Sequence, residues 1–305
     1  MSTAFYKYVT AYIHTQWGTK NFFPGPQPVS IEYRHFPILK SGEYYVCEKT
    51  DGERCMMVAL TYEGQKRCVF VNRNFKMTDV TIRLNNSAYE GTILDGELYE
   101  GTLMVYDAVI VSGVPVWDRS LDKRLSTIKD FMKSIIYMKS DVHRLKCKTF
   151  HHMKDFAHFM DVYLPTVEQK IDGLVFTPVN ETVRTGTHET MFKWKPREKN
   201  TIDFLMKWEP TREVPGVVKG EYRWRLYVQE KGKLYFESEI STNEPWYEDG
   251  AIVECQYINW EEPMWWKPIK RRFDKSHPNN RRTFYRTIVN IKEDIQMKEF
   301  LDCRP

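Results

Sequence analysis

The chain has 305 residues, 42% hydrophobic and 14% aromatic, more than one core of ordinary size accommodates, so a large domain and a smaller one are expected. Its 45 basic residues against 41 acidic ones leave a formal charge of +4, which permits nucleotide or nucleic-acid binding without requiring it. The six cysteines form no CxxC pair or framework spacing, no signal-like apolar run opens the chain and no apolar stretch is long enough to span a bilayer; a disulfide scaffold and a membrane protein are excluded, and a soluble protein of a reducing, intracellular compartment is predicted.

Residues 1–40 are mixed and aromatic, and Phe23-Pro24-Gly25-Pro26-Gln27-Pro28 reads as an extended strap, because each proline fixes its own backbone and restricts its predecessor. Strand signals follow at Tyr44–Lys49, Cys55–Tyr62, Cys68–Asn72, Thr92–Tyr99 and Leu103–Val111, separated by Gly, Asn and Asp, and predict an antiparallel sheet with short connections. Inside it, Lys49-Thr50-Asp51-Gly52-Glu53-Arg54 places Asp-Gly between two strand-like runs, the signature of a tight hairpin. On that reading alone Lys49 is an ordinary turn residue.

Leu121, Leu125, Ile128, Met132 and Ile135 recur at intervals of four and three and predict an amphipathic helix over 119–138. Phe156, Phe159, Met160 and Tyr163 predict a shorter one, stopped by Pro165. Strands return at Ile171–Val179 and Thr190–Lys195. The polar Pro196-Arg197-Glu198-Lys199-Asn200 then marks a boundary between domains at 1–200 and 201–305. Short strand-like runs at Ile202–Trp208, Trp224–Gln229, Lys233–Ile240 and Ala251–Tyr257 suit a small five-stranded barrel of the OB type. A closing helix carries Phe284, Ile288, Ile291 and Ile295, and could pack back on the first domain.

Five further clusters follow the Lys49 stretch in order: Val71-Asn72-Arg73, Leu94-Asp95-Gly96-Glu97-Leu98, Ile171-Asp172-Gly173-Leu174-Val175, Phe192-Lys193-Trp194-Lys195-Pro196 and Arg272-Phe273-Asp274-Lys275. Each alone is a turn or a solvated strand face. In this order they resemble the collinear motifs of the covalent nucleotidyltransferases, the superfamily of mRNA capping guanylyltransferases and ATP-dependent DNA and RNA ligases. The resemblance covers roughly Phe23 to Leu301. Trp266 ahead of Arg272-Phe273-Asp274-Lys275-Ser276-His277-Pro278-Asn279, and Asp172 where DNA ligases usually carry glutamate, are similar to the capping version. The proline strap and Tyr106-Asp107-Ala108-Val109 resemble the compact, stand-alone guanylyltransferases of large DNA viruses.

The resemblance implies an α+β nucleotidyltransferase domain built on antiparallel sheet, followed by an OB-fold domain. It implies an mRNA guanylyltransferase in which Lys49 attacks the α-phosphate of GTP, forms a lysine-GMP adduct and passes GMP to a 5'-diphosphate RNA end to make the GpppN cap. A lysine amine, with an ordinary pKa of about 10.4, attacks only when neutral, so nearby cations such as Lys193, Lys195 and a metal are expected to disfavour its charge. By the same resemblance Lys193 and Lys195 contact the α-phosphate, Arg54, Arg73 and Glu97 hold the ribose, and Glu97 and Asp172 place Mg2+ or Mn2+. Arg272 and Lys275 grip the leaving phosphates with Asp274 orienting them, which requires the two domains to close during catalysis. Guanine lies between Tyr106 and Val175, with Thr50 and Lys148 donating to O6; adenine presents an amine there and leaves those donors unpaired. Asn72, where the family often has aspartate, and Trp194 between the two lysines depart from the pattern.

The implied partners are GTP and 5'-diphosphate RNA, with an RNA triphosphatase and a cap methyltransferase supplying the other capping activities. The implied location is the nucleus or a viral replication site. His143, His151 and His152 lack a completing ligand set for zinc and read as surface or helix-start residues. The basic run Lys267–Arg272 overlaps the last motif, so phosphate binding accounts for it without nuclear import. Trp260, Trp265 and Trp266 suit either stacking on RNA bases or burial between domains. Two rivals share the motifs: an ATP-dependent polynucleotide ligase, which would form its adduct with AMP, and an inactive cap- or RNA-binding module.

Overall fold

A computed structural model describes residues 1–209, 222–242, 247–258 and 266–305. Contacts divide the chain into two compact units, the first comprising Met1–Val29, His35–Trp194 and Lys298–Pro305, the second Ser30–Arg34 and Lys195–Met297.

The first unit begins with α1 (Thr3–Trp17), capped by the Ser2 side chain and ended by Gly18 in the left-handed conformation. This helix is absent from the sequence reading, although Phe5, Val9, Ile13 and Trp17 recur at intervals of four and all are buried. Then come β1 (Gln27–Ser30), α2 (Phe36–Ser41), β2 (Tyr44–Thr50), β3 (Glu53–Tyr62), β4 (Gln65–Asn72), β5 (Met77–Asp79), β6 (Thr92–Tyr99), β7 (Thr102–Val111), β8 (Val114–Pro115), α3 (Leu121–Lys133), β9 (Arg144–Cys147), β10 (His151–His152), β11 (Ile171–Pro178) and β12 (Thr187–Trp194).

These strands build two sheets where one was expected. One has the order β1-β12-β11-β2-β10; the other runs β5-β4-β3-β6-β7-β8, with β9 parallel to β7. The hairpin reading of Asp51-Gly52 is therefore corrected: β2 and β3 belong to different sheets, and the turn carries the chain from one to the other. Gly52 is required there, since a Cβ would lie 2.4 Å from the Leu98 carbonyl oxygen.

Strand β3 is buried along almost its whole length because its alternate faces are both covered. Met56, Val58 and Leu60 pack with Phe5, Val9 and Ile13 of α1, while Cys55, Met57 and Ala59 share a core with Leu121, Leu125 and Ile128 of α3. Helix α3 stops at Lys133, short of the predicted 138, because Ile136 bridges Arg83, whose Nε donates to its carbonyl. The expected helix near Phe156–Tyr163 is a chain of short helical turns of changing pitch rather than one regular element. Phe300, in the C-terminal turn Met297–Cys303, packs against Phe36, Phe156, Phe176 and Trp194.

The second unit contains β13 (Thr201–Glu209), β14 (Tyr222–Glu230), β15 (Lys233–Thr242), β16 (Ile252–Tyr257), β17 (Trp266–Arg271) and α4 (Arg281–Glu293). Its five strands are antiparallel in the order β15-β14-β13-β16-β17, a domain of the OB-fold class. The core joins Ile202, Phe204, Met206, Trp224, Leu226 and Val228 to Phe284 and Ile291 of α4. Trp266 is 3% exposed within this core, which removes it as a base-stacking surface; Trp260 and Trp265 lie outside the described residues. Among the described residues no helix is long and apolar enough to cross a membrane.

Candidate active site

A cavity of about 140 Å³ lies between the two sheets of the first unit. Lys49, Thr50, Arg54, Arg73, Glu97, Tyr106, Lys148 and Val175, spread over more than a hundred residues of sequence, all line it. Pro26, Pro28, Cys47, Glu48, Asp107, Phe150, Thr177 and Met191, which sequence reasoning did not single out, complete the wall.

Two β-bulges aim the chemistry. On β11, Ile171 pairs with Thr50 and Gly173 with Lys49, so the register shifts at Asp172, the extra residue of a β-bulge. Its Oδ1 accepts from Lys49 Nζ at 2.8 Å. The resting charge partner of Lys49 is thus a carboxylate. On β7, Asp107 pairs with Asp95 and Val105 with Gly96, leaving Tyr106 as the bulged residue. Strict alternation would put Tyr106 and Asp107 on opposite faces; the bulge lets both reach the cavity. Gly96 permits this, since a Cβ would sit 2.6 Å from the Met104 carbonyl oxygen.

The floor is a buried ion-pair network. Arg54, 7% exposed, donates to both carboxylate oxygens of Asp95 at 3.2 and 2.7 Å and to the Pro26 carbonyl at 2.6 Å. Gly25 lets the strap pass this guanidinium, because a Cβ there would meet Nη2 at 2.4 Å. Tyr106 donates its hydroxyl to Asp95 at 3.3 Å, and burial raises its pKa well above the phenolic range. Arg124 grips Asp107 through two bonds of 2.7 and 3.1 Å. Burial likewise raises the Glu97 carboxyl, against the opposing pull of Lys49, Arg54, Arg73 and Lys148.

Thr50 is 2% exposed, and its hydroxyl has no hydrogen-bond partner among the described residues. A buried donor without a partner inside a cavity is poised for a ligand. Lys148 is 3% exposed and contacts the Glu48 carbonyl and carboxylate. The Asn72 departure is accommodated: its side-chain oxygen accepts from the amides of Asn74 and Lys76 at 3.0 and 2.9 Å, closing the turn that carries Arg73. Arg73 Nη2 donates to Gln27 at 3.3 Å. Trp194 is buried against Phe300, so its departure is one of packing.

Lys193 lies on β12 opposite Val175 of β11, and Lys195 follows the end of that strand, in the second unit. Also in the second unit, Arg272 is bound by Asp274 at 3.0 and 2.8 Å and by Asp203 at 3.0 and 3.2 Å. Lys275 also pairs with Asp203. The Arg272 hydrogen bonds hold the Asp274 carboxyl down at about 2. Asp203 is 5% exposed and gave no sequence signal, being an isolated acidic residue in a strand.

Among the described residues no three of His, Cys, Asp and Glu stand together as a metal site. His152 instead caps the turn at Met153, accepting from the Lys154 amide at 3.0 Å. The basic run is occupied by β17 and the Arg272 cluster.

A reactive-residue cavity between antiparallel sheets, followed by an OB-class domain, defines a nucleotidyltransferase. Family models agree and go further: "mRNA capping enzyme, catalytic domain" matches residues 5–197, and "mRNA capping enzyme, C-terminal domain" matches residues 199–301. The chain belongs to the mRNA capping enzyme family. It is 28% identical to an mRNA-capping enzyme subunit alpha of Schizosaccharomyces pombe, across 93% of this chain and 80% of that protein. It is 25% identical to the corresponding Saccharomyces cerevisiae subunit, across 91% and 77%, and 26% identical to an mRNA-capping enzyme of Danio rerio, across 92% and 48%.

Proposed function

We infer that this chain is a GTP:RNA guanylyltransferase with Lys49 as its nucleophile. The observation that carries this reading is Lys49 on the wall of the cavity between the two sheets, held by Asp172, beside a buried Thr50 hydroxyl that has no hydrogen-bond partner among the described residues.

In the first step Lys49 Nζ leaves its ion pair, gives a proton to solvent and, now neutral, attacks the α-phosphorus of GTP. The new P–N bond forms as the bond to the bridging oxygen breaks; pyrophosphate departs with the electron pair, and the nitrogen releases a second proton to solvent. In the second, a terminal phosphate oxygen of 5'-diphosphate RNA attacks the same phosphorus, the P–N bond breaks, and the lysine amine takes up a proton as GpppN-RNA is released. Transfer of this kind depends on neutralising phosphate charge and on positioning. We assign that work to Lys193 and Lys195 at the α-phosphate, and to Arg272 and Lys275, oriented by Asp274, at the leaving phosphates.

Tyr106 and Val175 are assigned to the two faces of guanine, Thr50 and Lys148 to its O6, and Arg73 and Glu97 to the ribose. Arg54 backs this subsite; its three bonds to Asp95 and Pro26 fix the strap that walls the cavity. Glu97 and Asp172 fit a hard cation: two carboxylates, completed by phosphate oxygens and water, suit Mg2+ or Mn2+. Such an ion would supply positive charge to the triphosphate. RNA with a 5'-diphosphate end requires a triphosphatase to make it, and methylation of the cap requires a further enzyme.

Incubation with α-labelled GTP or ATP and Mg2+ or Mn2+, followed by denaturing electrophoresis, tests the reading. Acid-labile label from GTP that disappears with Lys49→Ala supports it. Label from ATP alone would make the chain a ligase, and no label would make it a binding module.

A further inference from the structure

We propose that Glu48 is the positioning residue for guanine recognition, acting through Lys148; this rests on the assignment of Lys148 to O6. Glu48 immediately precedes the nucleophile and is 1% exposed, the setting in which a carboxylate requires partners. Its partners are all supplied by the protein. Lys148 Nζ donates to the Glu48 backbone carbonyl and lies 3.5 Å from Oε1. Gln169 Nε2 donates to Oε1 at 3.0 Å, and the Tyr163 hydroxyl donates to Oε2 at 3.3 Å.

An ammonium has three N–H donors and a flexible stem, so by itself it selects no direction. Glu48 supplies one: its carbonyl accepts from Nζ and its carboxylate stands beside the ammonium as countercharge, which leaves donor directions for the cavity that Lys148 lines. Gln169 and Tyr163 hold the carboxylate at Oε1 and Oε2, so the lysine is fixed by a relay of protein groups. Because Glu48 and Lys49 are consecutive in β2, the strand that delivers the nucleophile also sets the register of the base reader. A guanine bound to Lys148 is thereby tied to an α-phosphate in front of Lys49.

The test compares adduct formation from GTP with that from 2-aminopurine riboside 5'-triphosphate, which lacks the 6-oxo group, in Glu48→Gln, Lys148→Met and the double variant. Glu48→Gln is expected to raise KM for GTP roughly ten- to hundredfold with little change for the analogue. The double variant is expected to behave as Lys148→Met alone, because both remove one interaction. Equal losses with both nucleotides, or additive effects in the double variant, would overturn the proposal. If Lys148→Met leaves the GTP preference intact, the Lys148 assignment itself fails; if Lys148→Met lowers it and Glu48→Gln does not, only the Glu48 proposal fails. Should Glu48→Gln not fold, Tyr163→Phe combined with Gln169→Leu is read by the same criteria: a GTP-specific rise in KM supports the relay and an unchanged KM overturns it.

Discussion

Lys49 Nζ donates to Asp172 Oδ1 at 2.8 Å, at the β-bulge where the register between β11 and β2 shifts. The bulge, not the strand, makes this contact. Lys49→Ala is expected to abolish the labelled adduct. Asp172→Asn should keep the fold, since the bulge is a backbone feature, yet lower adduct formation by roughly a hundredfold or more. Full labelling of Asp172→Asn would show that the ion pair has no part in the chemistry.

Thr50→Val separates function from stability. The hydroxyl has no partner to lose, so the melting temperature should stay the same or rise. KM for GTP should increase about tenfold if the hydroxyl meets guanine. A fall in melting temperature with an unchanged KM would reverse both halves of that expectation.

Arg272→Ala and Lys275→Ala should each block adduct formation from GTP while leaving the fold intact. Their carboxylate partners, Asp203 and Asp274, hold them in the second unit. Normal adduct yield in either variant would show that the last motif has been misread.

Arg124 and Asp107 form a buried pair at 2% and 5% exposure, and Arg124 also donates to the carbonyls of Arg119 and Glu181. Arg124→Met leaves the Asp107 carboxylate uncompensated and should lower unfolding free energy by about 3–5 kcal/mol in denaturant titration. A loss under about 1 kcal/mol would mean that the pair contributes no more than a surface one.

Burial pushes the thiols of Cys47, Cys55 and Cys68 from 9.0 up to about 12, and the hydroxyls of Tyr12, Tyr45 and Tyr163 from 10.0 up to about 12. A raised folded-state pKa means that the unfolded chain ionises first. The associated stability is complete below about pH 9 and is lost as pH rises toward 12. Thermal melts should therefore show a steady decline in Tm over that interval; a constant Tm to pH 11 would contradict it.

Much of the cavity was legible in advance through the family resemblance, which singled out Lys49, Arg73, Glu97 and Lys148; the structure brings all of them to the cavity lining. Helix α1 was equally legible in principle from Phe5, Val9, Ile13 and Trp17, but its aromatic, mixed composition masked the interval of four. Glu48 and Asp203 were not legible: each is an acidic residue in an apolar strand, indistinguishable from an exposed one until the opposing cation is placed.

The linear chain by itself determined the family and the order of the motifs, because these depend on residue type and on order along the chain. Tertiary structure decided which strands pair and which residues break the pairing. Asp-Gly after Lys49 encodes a turn, but whether the next strand returns beside the first or joins another sheet depends on what covers each face of β3, and both α1 and α3 lie elsewhere in sequence. The bulges at Asp172 and Tyr106 are of the same kind. An extra residue is defined only against a partner strand, so the alternation of a single strand contains no record of it.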